Sequence, residues 1–117
     1  MPIVGSDHHA PTLVAAEANA RRAGVSIQFR RAEIEDIEPC AVVGTIVSNL
    51  PYGERLGDRV GEVYTNFGRV LRERFQSWRV VFLTTDRSLA ERVDKRAERL
   101  TQFKNGGIGV AAWSFLP

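Results

Sequence analysis

Hydrophobic and polar residues alternate along the chain in a pattern that predicts strands and helices in turn. A short strand ends at residues 5–7, and Pro11 opens a helix that Gly24 terminates. Residues 25–29 alternate as a further strand. The nearly continuous apolar run 41–47 predicts a strand that is buried on both faces.

The second part of the chain continues this order. Apolar residues recur at helical spacing over 58–75, and a buried strand over 78–84 and a short helix over 89–92 follow. Residues 96–115 predict a closing antiparallel pair of strands around Asn105-Gly106-Gly107. The chain has no repeats, linkers or low-complexity tracts. Its pattern therefore predicts an α/β domain with a largely parallel sheet.

Composition places this domain among ordinary globular proteins. The chain has 117 residues, of which 44% are hydrophobic, and this suffices for one small domain with a real core. No apolar run approaches the ~20 residues that cross a bilayer, and no basic-then-apolar signal peptide precedes Pro2. We therefore expect a soluble cytoplasmic protein that does not bind membranes.

The positive charge is concentrated in one third of the chain. The net charge is +2, but residues 1–68 carry −3, whereas residues 69–104 hold ten Lys or Arg against five acidic residues. A phosphate backbone would be attracted to such a surface. Solvated, arginine-rich helix faces explain the pattern equally well, so charge alone does not establish RNA binding.

Residues 48–57, Ser-Asn-Leu-Pro-Tyr-Gly-Glu-Arg-Leu-Gly, hold the most informative pattern in the chain. An apolar strand leads directly into this run, and in open α/β sheets ligands lie outside the carboxyl ends of the strands. A polar amide, a rigid proline and an exposed aromatic ring suit the binding of a flat base that carries an amino group. The alternative is an Asn-x-Pro turn that merely ends a strand.

This run closely resembles the Asn-Pro-Pro-Tyr-Gly motif of class I S-adenosylmethionine-dependent amino-methyltransferases. The Glu-Arg-Leu-Gly that follows resembles their THUMP-associated branch, which makes N2-methylguanine in RNA. Leu50 replaces a proline that most relatives carry, and Leu-Pro at these positions also occurs in RNA adenine dimethyltransferases. Residues 103–106 resemble the Tyr-Asn-Gly turn of the same RNA methyltransferases, although a type I′ hairpin explains Asn-Gly without any site role.

The resemblance implies S-adenosylmethionine as methyl donor and two carboxylates that bind it. Asp7 matches the acidic residue that ends the second strand and accepts hydrogen bonds from both ribose hydroxyls, which a carboxylate can do at once. Glu33 lies where an Asp usually receives the exocyclic amine of the adenine ring. The alternatives are an ordinary turn or helix cap at Asp7 and a solvated acidic loop around Glu33.

The resemblance also implies a catalytic group, Asn49, Leu50, Pro51 and Tyr52, whose action needs no acid or base. The Asn49 Oδ1 and the Leu50 carbonyl would each accept one N–H of the guanine amine and so turn its lone pair towards the donor methyl. Tyr52 would stack on the base. Arg55 is a candidate contact to RNA phosphate, with a helix cap or a salt bridge as the alternative.

Neither metal nor disulfide chemistry is predicted. His8 and His9 are adjacent and point in different directions, and no second ligand pair accompanies them. Cys40 is the only cysteine, which excludes an intramolecular disulfide, and we expect it to be a small buried hydrophobe.

The resemblance covers essentially all of this chain but only about half of the family's catalytic domain. The family's first strand, its glycine-rich donor-binding turn and the THUMP domain have no counterpart here. We therefore expect a partial Rossmann-like sheet, from the second to the last strand, that closes with an antiparallel pair. Residues 1–117 would form a single, truncated methyltransferase catalytic domain.

Three functions are compatible with this organisation. The chain is part of an RNA guanine-N2 methyltransferase acting on rRNA or tRNA, weak or inactive without a missing N-terminal half. Alternatively, it is a non-catalytic binding or regulatory module that completes its sheet as a homodimer or with a separate partner. The third possibility is a methyltransferase of adenine N6 in nucleic acid.

Overall fold

The residues described by this computed structural model, 2–52 and 59–117, divide into two units, Met1–Cys40 and Ala41–Pro117. The elements are β1 (Val4–Asp7), α1 (Ala10–Ala23), β2 (Gln28–Arg31), β3 (Gly44–Asn49), α2 (Val60–Arg74), β4 (Trp78–Thr84), α3 (Arg87–Val93), β5 (Glu98–Asn105) and β6 (Ile108–Phe115). A short 3₁₀ helix covers Ile34–Asp36. This alternation confirms the predicted α/β class.

The first unit is a β-α-β arrangement in which β1 and β2 pair in parallel. Gly24 ends α1 with a φ of 71°, a left-handed conformation that glycine adopts at little cost. β2 begins at Gln28, three residues later than predicted, because the ladder starts where the Gln28 N–H reaches the carbonyl of Ile3 at 3.0 Å.

The second unit contains a four-stranded sheet in the order β3-β4-β6-β5. β3 and β4 are parallel, and β6 is antiparallel to both β4 and β5. The parallel pairs and the closing antiparallel pair agree with the expected partial Rossmann-like arrangement. The four-stranded sheet is mixed and not largely parallel as predicted, because β6 is antiparallel to both of its neighbours. Among the described residues, β3 pairs with β4 only, so its other edge has no strand partner.

The prediction for β3 is wrong in its bounds and in its burial. The strand covers Gly44–Asn49 and its residues alternate in exposure, with Val47 76% exposed. The preceding apolar residues are held outside the ladder, where the Trp78 indole donates a 3.1 Å hydrogen bond to the Ala41 carbonyl. Gly44 is required here because a Cβ would lie 2.5 Å from the Trp78 ring. Only one face of β3 is therefore covered.

The core of the second unit lies between α2, α3 and one face of this sheet. α2 contributes an apolar stripe and β4 contributes alternate residues, which is the pattern expected of half-buried elements, whereas β6 is buried over four consecutive residues, 110–113. The buried members are Tyr64, Phe67, Val70, Leu71, Val80, Phe82, Thr84, Trp113 and Phe115. The buried strand at Trp78–Thr84 is confirmed as predicted.

α2 and α3 approach each other closely at one glycine. A Cβ on Gly68 would overlap the carbonyl oxygen of Val93, at the end of α3. The same oxygen accepts a 2.6 Å hydrogen bond from Arg72, whose guanidinium also reaches Asp94 at 3.3 Å. Glycine at position 68 therefore sets the distance between the two helices.

The closing hairpin forms as predicted. Gly106 and Gly107 connect β5 to β6 with φ values of 59° and 84°, the two positive angles that a type I′ turn requires. β5 is exposed along its whole length, and a register shift between Arg99 and Thr101 marks a bulge. Across the described portions of the chain, no helix has the length and apolar character needed to cross a membrane.

Candidate functional site

Asn49, Thr84 and Asn105 end three strands that run in the same direction. Asn49 pairs with Leu83 in the parallel ladder, directly beside Thr84. Because β5 is antiparallel to β6, and β6 to β4, Asn105 also lies at this carboxyl edge. The sheet thus brings together the end of β3, the end of β4 and the β5–β6 turn, at the edge where α/β proteins bind ligands.

A buried tyrosine fixes the segment that follows Asn49. The Tyr64 hydroxyl lies 2.7 Å from the Pro51 carbonyl and 2.6 Å from Thr84 Oγ1, and Tyr64 is fully buried. A hydroxyl has one proton, so Tyr64 donates to Pro51 and Thr84 donates to Tyr64. The backbone at Pro51 is therefore tied to both α2 and β4.

The Tyr64 hydroxyl is a hydrogen-bond donor and does not act as a base. Burial raises the pKa of Tyr64 to about 12, and the hydrogen bond from Thr84 only partly offsets this effect. The phenol therefore stays neutral at physiological pH. Sequence reasoning missed Tyr64 and Thr84, although a tyrosine within an apolar helical stripe signals a partner for its hydroxyl.

Tyr52 is held by the β5–β6 hairpin. The side-chain amide of Asn105 donates a 3.0 Å hydrogen bond to the Tyr52 hydroxyl. The sequence indicates Asn105 only as a marker of the family's turn, whereas the structure adds this direct contact to the candidate site. Asn105 lies 53 residues from Tyr52 in the chain, so no local pattern could have revealed the pair.

Asn49, Leu50, Pro51 and Tyr52, the predicted catalytic group, are consecutive at the exit of β3. Leu50 is 3% exposed and anchors the segment, whereas Asn49 is exposed. Within residues 2–52 and 59–117, the Asn49 carboxamide has no hydrogen-bond partner, so its donor and acceptor are available to a ligand. Arg55, the predicted RNA contact, lies outside the described residues.

The two predicted donor-binding residues lie at one end of the β1–β2 pair. Asp7 ends β1, and Glu33 follows β2 and precedes the 3₁₀ helix. The Ala32 N–H donates to the Asp7 carbonyl at 3.0 Å, which joins the two strand ends. Asp7 Oδ1 accepts a 2.8 Å hydrogen bond from the His9 N–H, which is the turn role considered above. No described residue donates a hydrogen bond to Asp7 Oδ2, and Glu33 is exposed.

Residues 1–113 match the family described as RMKL-like, methyltransferase domain. The chain belongs to this family. The family resemblance seen in the sequence is thereby confirmed, and with it the α/β class that the strands and helices show.

Similar proteins cover this RMKL-like domain almost completely. A Chromohalobacter salexigens protein named ribosomal RNA large subunit methyltransferase K/L is 38% identical over 113 residues, which are 91% of this chain and 15% of that protein. The SMU.472 protein, crystallised in complex with SAH, superposes with a TM-score of 0.87 at 25% identity over 97% of this chain and 31% of that chain. A predicted N6-adenine-specific DNA methylase from Listeria monocytogenes superposes with a TM-score of 0.75 at 29% identity. The match covers 98% of this chain and 30% of the Listeria monocytogenes chain.

This RMKL-like domain therefore spans less than a third of each of these three proteins. The activity, substrate and partners of the larger proteins are not carried over with the family.

The remaining side chains with metal-binding or reactive chemistry are the histidines and Cys40. His9 begins α1 and its Nδ1 lies 3.0 Å from Thr12 Oγ1. In the described part of the chain, no group of three or more His, Cys, Asp or Glu side chains could hold a metal ion. The prediction that Cys40 is buried is wrong. It is exposed, because it lies outside any strand or helix at the junction of the two units.

Proposed function

We propose that this chain is the base-binding part of an S-adenosylmethionine-dependent RNA methyltransferase that modifies N2 of guanine in rRNA or tRNA. The observation that carries the proposal is the exposed, unpartnered Asn49 carboxamide at the end of β3, beside the Pro51 carbonyl that Tyr64 fixes. The similarity to a protein named ribosomal RNA large subunit methyltransferase K/L supports the class of substrate.

Positioning supplies the catalysis in this proposal. The exocyclic nitrogen of guanine is a poor nucleophile, because its lone pair is delocalised into the ring. If Asn49 Oδ1 and the Leu50 carbonyl each accept one N–H, the lone pair is directed at the donor's methyl group. The Leu50 carbonyl belongs to the main chain that Tyr64 holds at Pro51, so this acceptor needs little reorganisation during the reaction.

The chemistry of the donor set fits part of S-adenosylmethionine. Asp7 presents Oδ2 for the ribose hydroxyls while Oδ1 is held by the His9 N–H. Glu33 is exposed and presents a carboxylate for the adenine amine. When bound, the donor supplies an electrophilic methyl group on a sulfonium, and the chain's residues hold and orient the reacting groups. We assign no residue to the methionine end.

Tyr52 completes the base site in this proposal. Its ring would stack on the guanine, and its hydroxyl is held by the Asn105 amide at 3.0 Å. Stacking between a base and an aromatic side chain is worth about 1–3 kcal/mol. Partners in this proposal are RNA together with a missing N-terminal half or a second copy of the chain, and a cytoplasmic location remains part of the prediction.

A single-turnover assay tests the proposal. The purified chain, in excess over deproteinised rRNA and saturated with methyl-labelled S-adenosylmethionine, is incubated and the RNA is digested to nucleosides. We expect a small yield of N2-methylguanosine from the unmodified chain and at least a hundredfold loss with Asn49→Ala, the scale of effect seen when a fixed transition-state dipole is removed. Thr45→Ala is the matched control, since Thr45 lies on the same strand and face as Asn49.

Each alternative predicts its own result in this assay. Label in N6-methyladenosine would favour the second candidate function, which the similarity to a predicted N6-adenine-specific DNA methylase also supports. Calorimetric binding of S-adenosylmethionine without methyl transfer would favour a binding module that needs its partner. Full activity of Asn49→Ala would refute the positioning mechanism.

A further inference from the structure

A cavity of about 220 Å³ lies next to the candidate site, between the start of α3 and the β5–β6 pair. The residues that line it include Asp86, Arg87, Arg99, Gly109, Val110 and Trp113. We propose that this Arg87–Arg99 cavity binds a backbone phosphate of the RNA strand whose base enters the Asn49 site. This inference rests on the proposed function.

Arg87 and Arg99 line the cavity, together with the Asp86 carboxylate, which accepts hydrogen bonds within α3. In the described ranges, neither Arg87 nor Arg99 forms an ion pair. Asp86 caps α3, where its Oδ1 accepts 2.7 Å and 2.9 Å hydrogen bonds from the Ser88 hydroxyl and the Leu89 N–H. Guanidinium groups present several donors in a fixed plane that matches the oxygens of phosphate.

Three other arginines of the basic third of the chain are already paired with carboxylates. Arg72 and Arg96 share the Asp94 carboxylate, and Arg69 pairs with Glu73. Those charges are neutralised locally, so the general excess of Arg and Lys does not mark them as ligand contacts. Arg87 and Arg99 keep their charge for an external anion.

Trp113 forms part of the cavity wall beside Arg87. Its indole nitrogen is buried and, among the described residues, has no hydrogen-bond acceptor. The guanidinium of Arg87 lies 5.1 Å from the centre of its ring, so the cation is held in place over the cavity wall. A bound anion that contacts the Arg87 guanidinium would therefore change the surroundings of this indole ring.

The size of the cavity selects a small anionic group. It is below the 300–1,000 Å³ that is typical for drug-sized ligands. It still exceeds the ~30 Å³ share of a single water several times over. One phosphate with part of its sugar fits these limits better than a whole nucleotide cofactor.

The cavity and the base site share the same hairpin. Asn105, at the end of β5, contacts Tyr52, while Gly109 and Val110 of β6 line the cavity. The cavity begins at the carboxyl edge of the sheet, with Thr85 and Gly109, and extends to Arg99 and Trp113 on the face that the helices cover, whereas Asn49 belongs to the uncovered face. An RNA strand that passes over this edge would place a base against Tyr52 and a neighbouring phosphate between the two arginines. In such a division of labour, phosphate contacts set position and base contacts set identity.

The two indole N–H groups of the chain give a direct experiment. In a ¹H–¹⁵N spectrum of the labelled chain, Trp78 and Trp113 are the only indole signals, because the sequence has two tryptophans. Titration with a short single-stranded oligouridylate should move the Trp113 signal to saturation. The chemical shift of the Trp78 signal should not change, because its N–H already donates to the Ala41 carbonyl. A second titration uses inorganic phosphate.

Matched charge variants separate this site from general attraction. Arg87→Gln and Arg99→Gln should each weaken oligouridylate binding about tenfold and flatten its salt dependence. Arg79→Gln removes the same charge from an exposed position on the opposite face of β4 and should change affinity less than twofold. Equal losses in all three variants, or an unmoved Trp113 signal while RNA binds, would overturn the inference.

The remaining outcomes are also decisive. Failure of the chain to bind oligouridylate would overturn the phosphate site. Inorganic phosphate binding as tightly as oligouridylate would reassign the cavity to a free phosphate-bearing molecule. Saturable movement of Trp113 together with no methylated nucleoside in the single-turnover assay would leave the phosphate site standing and show that the chain alone does not transfer the methyl group.

Discussion

The hydroxyl of Tyr64 donates a 2.7 Å hydrogen bond to the main-chain carbonyl of Pro51. The donor comes from the middle of α2 and the acceptor from the segment after β3, so one bond joins the core to the candidate catalytic residues. Thr84 supplies the proton that Tyr64 accepts, at 2.6 Å. The position of the Asn49 segment therefore depends on a core residue that does not itself face a ligand.

Tyr64→Phe should lower the free energy of unfolding by about 1–3 kcal/mol, because it leaves two buried polar groups without their partner. Thr84→Val should lower the free energy of unfolding less in the Tyr64→Phe background than in the unmodified chain. In the double variant only the Pro51 carbonyl is left unpaired. Urea unfolding followed by tryptophan fluorescence measures both values. Tyr52→Phe, which removes a half-buried hydroxyl, is the control and should cost under ~1 kcal/mol.

Gly68→Ala should destabilise the second unit by about 1–3 kcal/mol, because the new methyl group must displace the Val93 carbonyl and its bond from Arg72. Gly61→Ala is the matched control in the same helix. A Cβ there meets only the movable Arg92 guanidinium, at 2.9 Å. Higher helix propensity should make Gly61→Ala neutral or stabilising by up to ~1 kcal/mol. Equal destabilisation by both changes in urea unfolding would contradict this account of the helix contact.

Asp94 should make the stability of the second unit fall in acid. Hydrogen bonds from Arg96, with a further one from Arg72, lower the pKa of this buried carboxyl from 3.8 to about 2. A depressed folded-state pKa stabilises the fold above the unfolded value, and this contribution disappears as the pH falls from about 4 to about 2. It amounts to roughly 2 kcal/mol.

The comparison with Asp94→Asn isolates this effect. The difference in unfolding free energy between the chain and Asp94→Asn should be largest near neutral pH and should shrink below about pH 4. Glu73→Gln removes an exposed ion pair with Arg69 and should change stability by under ~1 kcal/mol. A difference for Asp94→Asn that stays constant with pH would show that the carboxylate charge is not responsible.

Asn105→Ala and Tyr52→Phe should reduce methyl transfer by similar amounts, about three- to tenfold in kcat/KM, because each breaks the same 3.0 Å hydrogen bond. The double variant should lose little more than either single one. Tyr52→Ala should lose more, because it also removes the stacking ring. Additive losses from Asn105→Ala and Tyr52→Phe would mean that the two side chains act independently.

Local sequence patterns correctly predicted the elements whose structure is specified by residues close together in the chain. The apolar run of β4, the helical spacing of α2 and the glycine turn before β6 each specify a structure within a few residues. The apolar run before Asn49 misled the prediction, because periodicity cannot show whether another element covers the second face of a strand. In this structure nothing among the described residues covers Val47, and Trp78 holds the start of the run away from the ladder.

The site was predicted only where its residues are consecutive. Asn49 to Tyr52 form a motif, and the motif pointed to their position at a strand end. Tyr64, Thr84 and Asn105 come from three other elements, and their contacts depend on how strands are ordered in the sheet. Sequence spacing carries no such information. The pairing of β6 between β4 and β5 brings Asn105 to the edge where Tyr52 lies.

Cys40 gives the chain a single chemical handle. It is the only thiol, it is exposed, and it lies where the first unit ends and the second begins. A maleimide dye or a nitroxide can therefore be attached at one defined point without introducing or removing any other cysteine. Energy transfer or dipolar distances from that point to a second label in either unit would report whether the two halves move as one body when donor or RNA is added.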